Sequence, residues 1–122
     1  MKQDWTIIRA ILLRLEAAPI ANTALHSIDL AEFAEQEVAY NMRLLKDAGF
    51  IEATICESAT GDGGIHLALA QSMSYKGHEL LDTIRSDTVW ARIEDKFKSS
   101  GLEMTFDLVL LMGRKIIEAM LA

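Results

Sequence analysis

The stretch Gln36 to Ile51, QEVAYNMRLLKDAGFI, constrains the fold of this chain more than any other. Val38, Met42, Leu45 and Ala48 recur at spacings of four, three and three, which puts them on one helical face, while Arg43, Lys46 and Asp47 point elsewhere. Gly49 stands where a left-handed C-cap ends such a helix, a conformation that glycine adopts without a Cβ clash. The next residues, FIEATICES, alternate with the period of a strand. Phe50, Glu52, Thr54, Cys56 and Ser58 fall on one side, and Ile51, Ala53, Ile55 and Glu57 on the other. Ala59-Thr60-Gly61-Asp62-Gly63-Gly64 reads as a hairpin tip, and Ile65 to Met73 as the returning strand. Helix, strand, glycine-rich tip, strand and helix is the order of a recognition helix beside its wing. The expected fold class is therefore mainly α with a small β-hairpin wing, a winged helix-turn-helix followed by C-terminal helices.

The flanking segments fit that frame. Asp4 is placed to cap a first helix whose inner face is Trp5, Ile8, Leu12 and Leu15 with Ile11 beside it, ending near Ala17 because Pro19 disfavours helix before it. Ile20 to Ser27 reads as a loop. Ile28-Asp29-Leu30 reads either as the short third strand of the winged helix or as a capping box, Asp29 with Glu32, opening a short second helix; a brief strand or turn is the preferred reading. After the wing, Tyr75-Lys76-Gly77-His78-Glu79 opens a helix with Leu80, Leu81 and Ile84 inward, and Val89, Trp90, Ile93 and Phe97 continue the pattern past Asp87. Ser99-Ser100-Gly101 breaks it. A last helix, Thr105 to Leu121, carries Phe106, Val109, Leu110, Gly113, Ile117 and Met120 on one side, flanked by Leu108, Leu111 and Met112. Its apolar arc is wider than one packing partner needs, which suggests a homodimer seam. Residues 1–86 form the expected winged-helix domain and residues 87–122 a helical extension.

Composition narrows the class of partner. The 122 residues suffice for one principal core, and 51% apolar with 25% charged residues is the balance of a globular chain. The net charge of −6 opposes phosphate binding, which draws on Lys and Arg. The imbalance lies mostly in residues 1–86, with seven Lys/Arg against twelve Asp/Glu. The single cysteine, Cys56, excludes an internal disulfide and fits a reducing cytoplasm. The N-terminal residues have helical periodicity interrupted by Asp4 and Glu16, unlike the unbroken apolar core of a signal peptide. The apolar run Leu108 to Gly113 is too short to cross a bilayer, so no membrane association is expected.

Asp4 through Leu15, EVAYNMRLLKDAGFIEA from Glu37 to Ala53, SYKGHELLDTIRSDTVW from Ser74 to Trp90, and the tail helix together resemble the domain of unknown function 2513 family. The resemblance implies a winged-helix-like fold and an origin in phages or prophage-bearing bacteria, and it carries no established activity. Two positions depart from the family's pattern. Ala34 stands where Ser or Thr usually caps the recognition helix, so a cap is expected from Asp29 or from an earlier helix start, and Asn41 stands where His is common.

A winged helix would present Glu35, Gln36, Ala39, Tyr40 and Arg43 to the major groove with Lys46 near the phosphates, so the candidate nucleic-acid-binding residues are Gln36, Tyr40, Arg43 and Lys46. Glu32, Glu35, Glu37 and Asp47 oppose them, and the tip offers Asp62 and no basic residue. An equally open reading is that Arg43 and Lys46 pair with neighbouring carboxylates on a solvated face. No catalytic role, metal or cofactor is expected. His26, His66 and His78 lack ligand spacing, Gly61-Asp62-Gly63-Gly64 lacks the Lys-Ser/Thr of a phosphate loop, and Trp5, Trp90 and Phe97 read as core. Gly77 fits either a hinge or an ordinary helix start. Two functions follow from the sequence: a homodimeric sequence-specific DNA-binding regulator, or a protein-interaction module whose acidic surface binds a basic protein or mimics nucleic acid.

Overall fold

The computed structural model describes all 122 residues. The elements run α1 (Trp5–Ala17), β1 (Leu25–His26), a 3-10 turn (Ser27–Asp29), α2 (Glu35–Asp47), β2 (Ile51–Glu57), β3 (Ile65–Met73), α3 (Tyr75–Ile84), α4 (Asp87–Ser100) and α5 (Phe106–Leu121). Five α-helices thus accompany one three-stranded antiparallel sheet of order β1-β3-β2. No helix is long and apolar enough to cross a membrane. The chain divides into two compact units, Met1–His78 and Glu79–Ala122. The division falls inside α3 rather than between residues 86 and 87, and Thr83 in the second half of α3 lies against Gly113 of α5.

In the first unit, the Asp4 carboxylate accepts from the Thr6 and Ile7 amides and starts α1. Helix α1 buries Trp5, Ile7, Ile8, Ile11, Leu12 and Leu15, and α2 buries Val38, Ala39, Met42 and Leu45. Asn41 joins the two helices. Its fully buried side chain accepts from the Asp4 amide at 2.9 Å and donates to the Glu37 carbonyl at 2.9 Å, so its oxygen and nitrogen are both satisfied. The amide supplies one acceptor and one donor without a titrating group.

The third strand lies inside the segment Ile20 to Ser27 that the sequence reads as a loop, and of the strand or turn expected at 28–30 it is the turn that forms. Leu25 and His26 pair with Ala70 and Leu69, and the Thr23 amide reaches the Gln71 carbonyl. Residues 27–29 form that turn, in which Asp29 directs its carboxylate back to the His26 amide at 2.9 Å. Asp29 is therefore unavailable to α2, whose N-cap Ala34 makes no side-chain cap bond. Glu35 and Glu37 in the first turn interact favourably with the positive end of the helix dipole in its place. That single 3-10 turn is the helical element between α1 and α2, where a helix-turn-helix would carry its second helix.

Hairpin β2–β3 follows α2 through Gly49, whose φ of 84° is the left-handed conformation expected of it. Two register irregularities interrupt the ladder: Glu52 pairs with Ser72 but Ala53 with Ala70, and Cys56 pairs with Leu67 but Glu57 with Ile65. Each leaves one extra residue on β3, Gln71 and His66. The second explains why Ile65, Ala68 and Ala70 are all buried although their spacing breaks strict alternation.

In the second unit, α3 and α4 are separate helices rather than one continued pattern. Ser86 accepts from the Val89 amide and restarts the chain as α4, which ends on Gly101 with φ 70°. Trp90, Ile93 and Phe97 are buried as expected. Thr105 caps α5, which buries Val109, Gly113 and Ile116. Ile117, assigned to the inner face from sequence, is half-buried, and its neighbour Ile116 takes that place.

Candidate nucleic-acid interface

Helix α2 and hairpin β2–β3 meet at two ends. At the base, Ser74 donates its hydroxyl to the Gly49 carbonyl at 2.6 Å and accepts from the Gly77 amide, while its own amide reaches the Phe50 carbonyl. Lys76 donates to the Ala48 carbonyl at 3.1 Å, a cation at the C-terminus of α2, and its ammonium lies 4.8 Å from the centre of the Phe50 ring. Gly77 is no hinge. A Cβ there would lie 2.0 Å from the Phe50 carbonyl oxygen and 2.7 Å from Met73 Cγ, so glycine is required by close approach.

At the distal end, Gln36 donates Nε2 to the Ile65 carbonyl at 2.9 Å and accepts from the Ile65 amide at 3.0 Å. The amide side chain thereby acts as a short piece of strand on the outer edge of β3. Arg43, two turns further along α2, pairs with Glu57 at 3.3 Å. Glu57 and Ile65 are register partners, so both contacts land on one rung of the hairpin, next to the extra residue His66. Beyond it the tip is organised by the Ser58 amide to the Gly64 carbonyl, the Ser58–Thr60 hydroxyl pair, and Asp62 accepting from the Gly64 amide at 2.8 Å. That amide bond, then the Thr60 and Ser58 hydroxyls, hold the Asp62 carboxyl below its ordinary 3.8.

Of the residues expected to contact nucleic acid, Gln36, Tyr40 and Arg43 share one stripe of α2, and Lys46 is exposed in the last turn. Their states differ. Gln36 has both amide atoms committed to the hairpin, Arg43 is 42% exposed and engaged by Glu57, Tyr40 is half-buried, and Lys46 is open to solvent. Ala39, expected on the same surface, is buried and belongs to the core, because the packed arc of α2 extends from Val38 and Met42 to include it. Glu57 and Ile65 were missed as partners of this stripe. The available signal was the strand alternation, which puts Glu57 last on the side of Ile51, Ala53 and Ile55.

Glu35, Gln36, Ser58, Asp62, Gly64, Ile65 and His66 line an open cleft of about 500 Å³ between the start of α2 and the tip. His26, His66 and His78 are all exposed, and no group of three or more His, Cys, Asp or Glu side chains is arranged to hold a metal ion. Cys56 is exposed on β2.

A small helical protein with a three-stranded sheet whose hairpin is fastened along one helix is the class this geometry defines. The chain belongs to the domain of unknown function 2513 family, described as "Hypothetical protein (DUF2513)", whose model matches residues 2–103. It is also 38% identical to an uncharacterised protein of Haemophilus influenzae strain Rd, over 122 residues and the full length of both chains. No solved structure matches it.

Proposed function

We propose that this chain is a non-catalytic DNA-binding protein of winged-helix type that acts as a sequence-specific transcriptional regulator. Helix α2 is the recognition helix and the β2–β3 hairpin its wing. The observation that carries the reading is the β1-β3-β2 sheet order with its hairpin alongside α2, which leaves Tyr40 half-buried, Arg43 part-exposed beside Glu57 and Lys46 open to solvent. In this reading Arg43 and Tyr40 meet base edges in the major groove and Lys46 meets a phosphate. Gln36 sets the wing against the helix rather than reading a base. Two copies pair through α5, where Leu111 and Met120 are about half exposed, and so address a palindromic site. Such a regulator works in the cytoplasm, where an exposed thiol at Cys56 stays reduced.

The test is retention of fragments from a genomic DNA pool on the purified chain, at low and at physiological salt. The expected result is enrichment of particular fragments with an affinity that falls as salt rises, and loss of that enrichment in Arg43→Ala at unchanged melting temperature. Retention unaffected by Arg43→Ala refutes the assignment of α2.

A second reading has its own observation. With a net charge of −6, Glu57 on Arg43 and an ionised Asp62 at the tip, the same surface suits a basic protein partner. Absence of DNA retention at either salt would favour it.

A further inference from the structure

We propose that the Arg43–Glu57 ion pair is an autoinhibitory contact, in which the wing holds the guanidinium that α2 presents to DNA until a polyanion displaces the carboxylate. The inference rests on the nucleic-acid reading above and adds its regulation. Three observations carry it.

Glu57 ends the row Ile51, Ala53, Ile55 on β2, so it continues the side of the strand that faces α2 beyond the last apolar residue. The register shift at Cys56/Glu57 brings Ile65, rather than His66, opposite it. Bulges of this kind commonly re-aim a side chain beside a functional surface.

The pair is also built to exchange. Its side chains are 42% and 67% exposed, the separation is 3.3 Å, and Glu57 has no second partner that would hold it in place. Exposed pairs of this kind are weakly held and screened by salt. A row of phosphates presents several charges to the guanidinium where Glu57 presents one, and bidentate phosphate recognition suits arginine.

The third observation is the neutral clip on the same rung. Gln36 holds Ile65 by two uncharged hydrogen bonds, 2.9 and 3.0 Å, which a polyanion does not compete for. Opening the ion pair therefore releases Arg43 while the hairpin stays on the helix. Asp47, one turn beyond Arg43 on the same stripe, is the other carboxylate near enough in sequence to hinder phosphate approach, and it lies on α2 itself rather than on the wing.

The experiment measures the affinity of the full chain for a fluorophore-labelled mixed-sequence DNA duplex at low salt. The variants are Glu57→Gln, Arg43→Ala, their double mutant, and Glu52→Gln as a control for charge alone, since Glu52 is exposed on the opposite side of β2. Glu57→Gln is expected to tighten binding by roughly three- to tenfold, Glu52→Gln by less than about twofold, and the Glu57→Gln gain is expected to vanish when Arg43 is absent. A gain equal to that of Glu52→Gln, or one that persists in the double mutant, overturns autoinhibition while leaving DNA binding in place. No binding by any of the five proteins removes the DNA reading and this inference together.

Discussion

At its base the β2–β3 hairpin is anchored to α2 around the buried Phe50 and a glycine that admits no side chain, whereas at its distal rung the same two elements are held by two polar side-chain clips. The base combines Phe50, 1% exposed, with Ser74 and Lys76 bonded to the last carbonyls of α2 and with a glycine wedged under the Phe50 carbonyl. The distal rung has Gln36 on the Ile65 backbone and Arg43 on Glu57. Close packing of Gly77 against the Phe50 backbone makes the base a fixed point, because a Cβ added there must displace backbone. The distal rung, beside the buried Ile65, adds two part-buried hydrogen bonds and an exposed ion pair that ions can replace. A chain that fixes one end of a hairpin and leaves the other adjustable has placed its adaptable contacts beside the helix surface proposed to meet a partner.

That contrast is broken most directly at Gly77. Gly77→Ala puts a methyl group 2.0 Å from the Phe50 oxygen, and we expect destabilisation of about 3 kcal/mol or more. A melting temperature within a degree or two of the unsubstituted protein would show that the base yields. Gln36→Ala removes two hydrogen bonds at the other end and is expected to cost about 1 kcal/mol, with the Ile65 amide becoming faster in hydrogen exchange while the Ser74 amide is unchanged. Equal acceleration at both amides would mean that the ends are not independent. Arg43→Ala should stay within about 0.5 kcal/mol in stability, as expected for an exposed ion pair. A larger loss in a urea titration would make the pair structural.

The smallest effect concerns the tip. Asp62 has its carboxyl value depressed by the Gly64 amide, so its ordering of the tip is present above the unfolded value and lost as pH falls through the folded one, below the ordinary 3.8. The Gly64 amide resonance should therefore shift only in that acid range, and Asp62→Asn should remove the titration. A midpoint at or above 3.8 would contradict the hydrogen bond as its cause.

Much of the fold was legible because periodicity is a local property. Val38, Met42 and Leu45 are buried, Gly49 has positive φ, Asp4 caps α1, and the returning strand runs from Ile65 to Met73 after the glycine-rich tip, as expected. What was not legible depends on partners distant in sequence. The Leu25–His26 strand is too short to show alternation and exists because β3 offers it an edge. The break between α3 and α4 had a signal, Ser86 with Asp87 following it, that a continuing apolar pattern obscured. Gln36 and Arg43 were identified as an exposed polar stripe, and only the approach of the hairpin, 29 residues away for Ile65, reveals that both are engaged. The sequence could mark the surface but not its occupancy.

The central claim is that α2, with its adjustable distal contacts, is the surface that meets DNA. Amide shift mapping of the labelled chain against a retained fragment tests it most directly. The account predicts perturbations centred on Tyr40, Arg43, Lys46 and the Glu57–Ile65 rung, with Ser74 and Gly77 unmoved. Perturbations confined to α4 and α5, or none at a concentration where the fragment is bound, would contradict it.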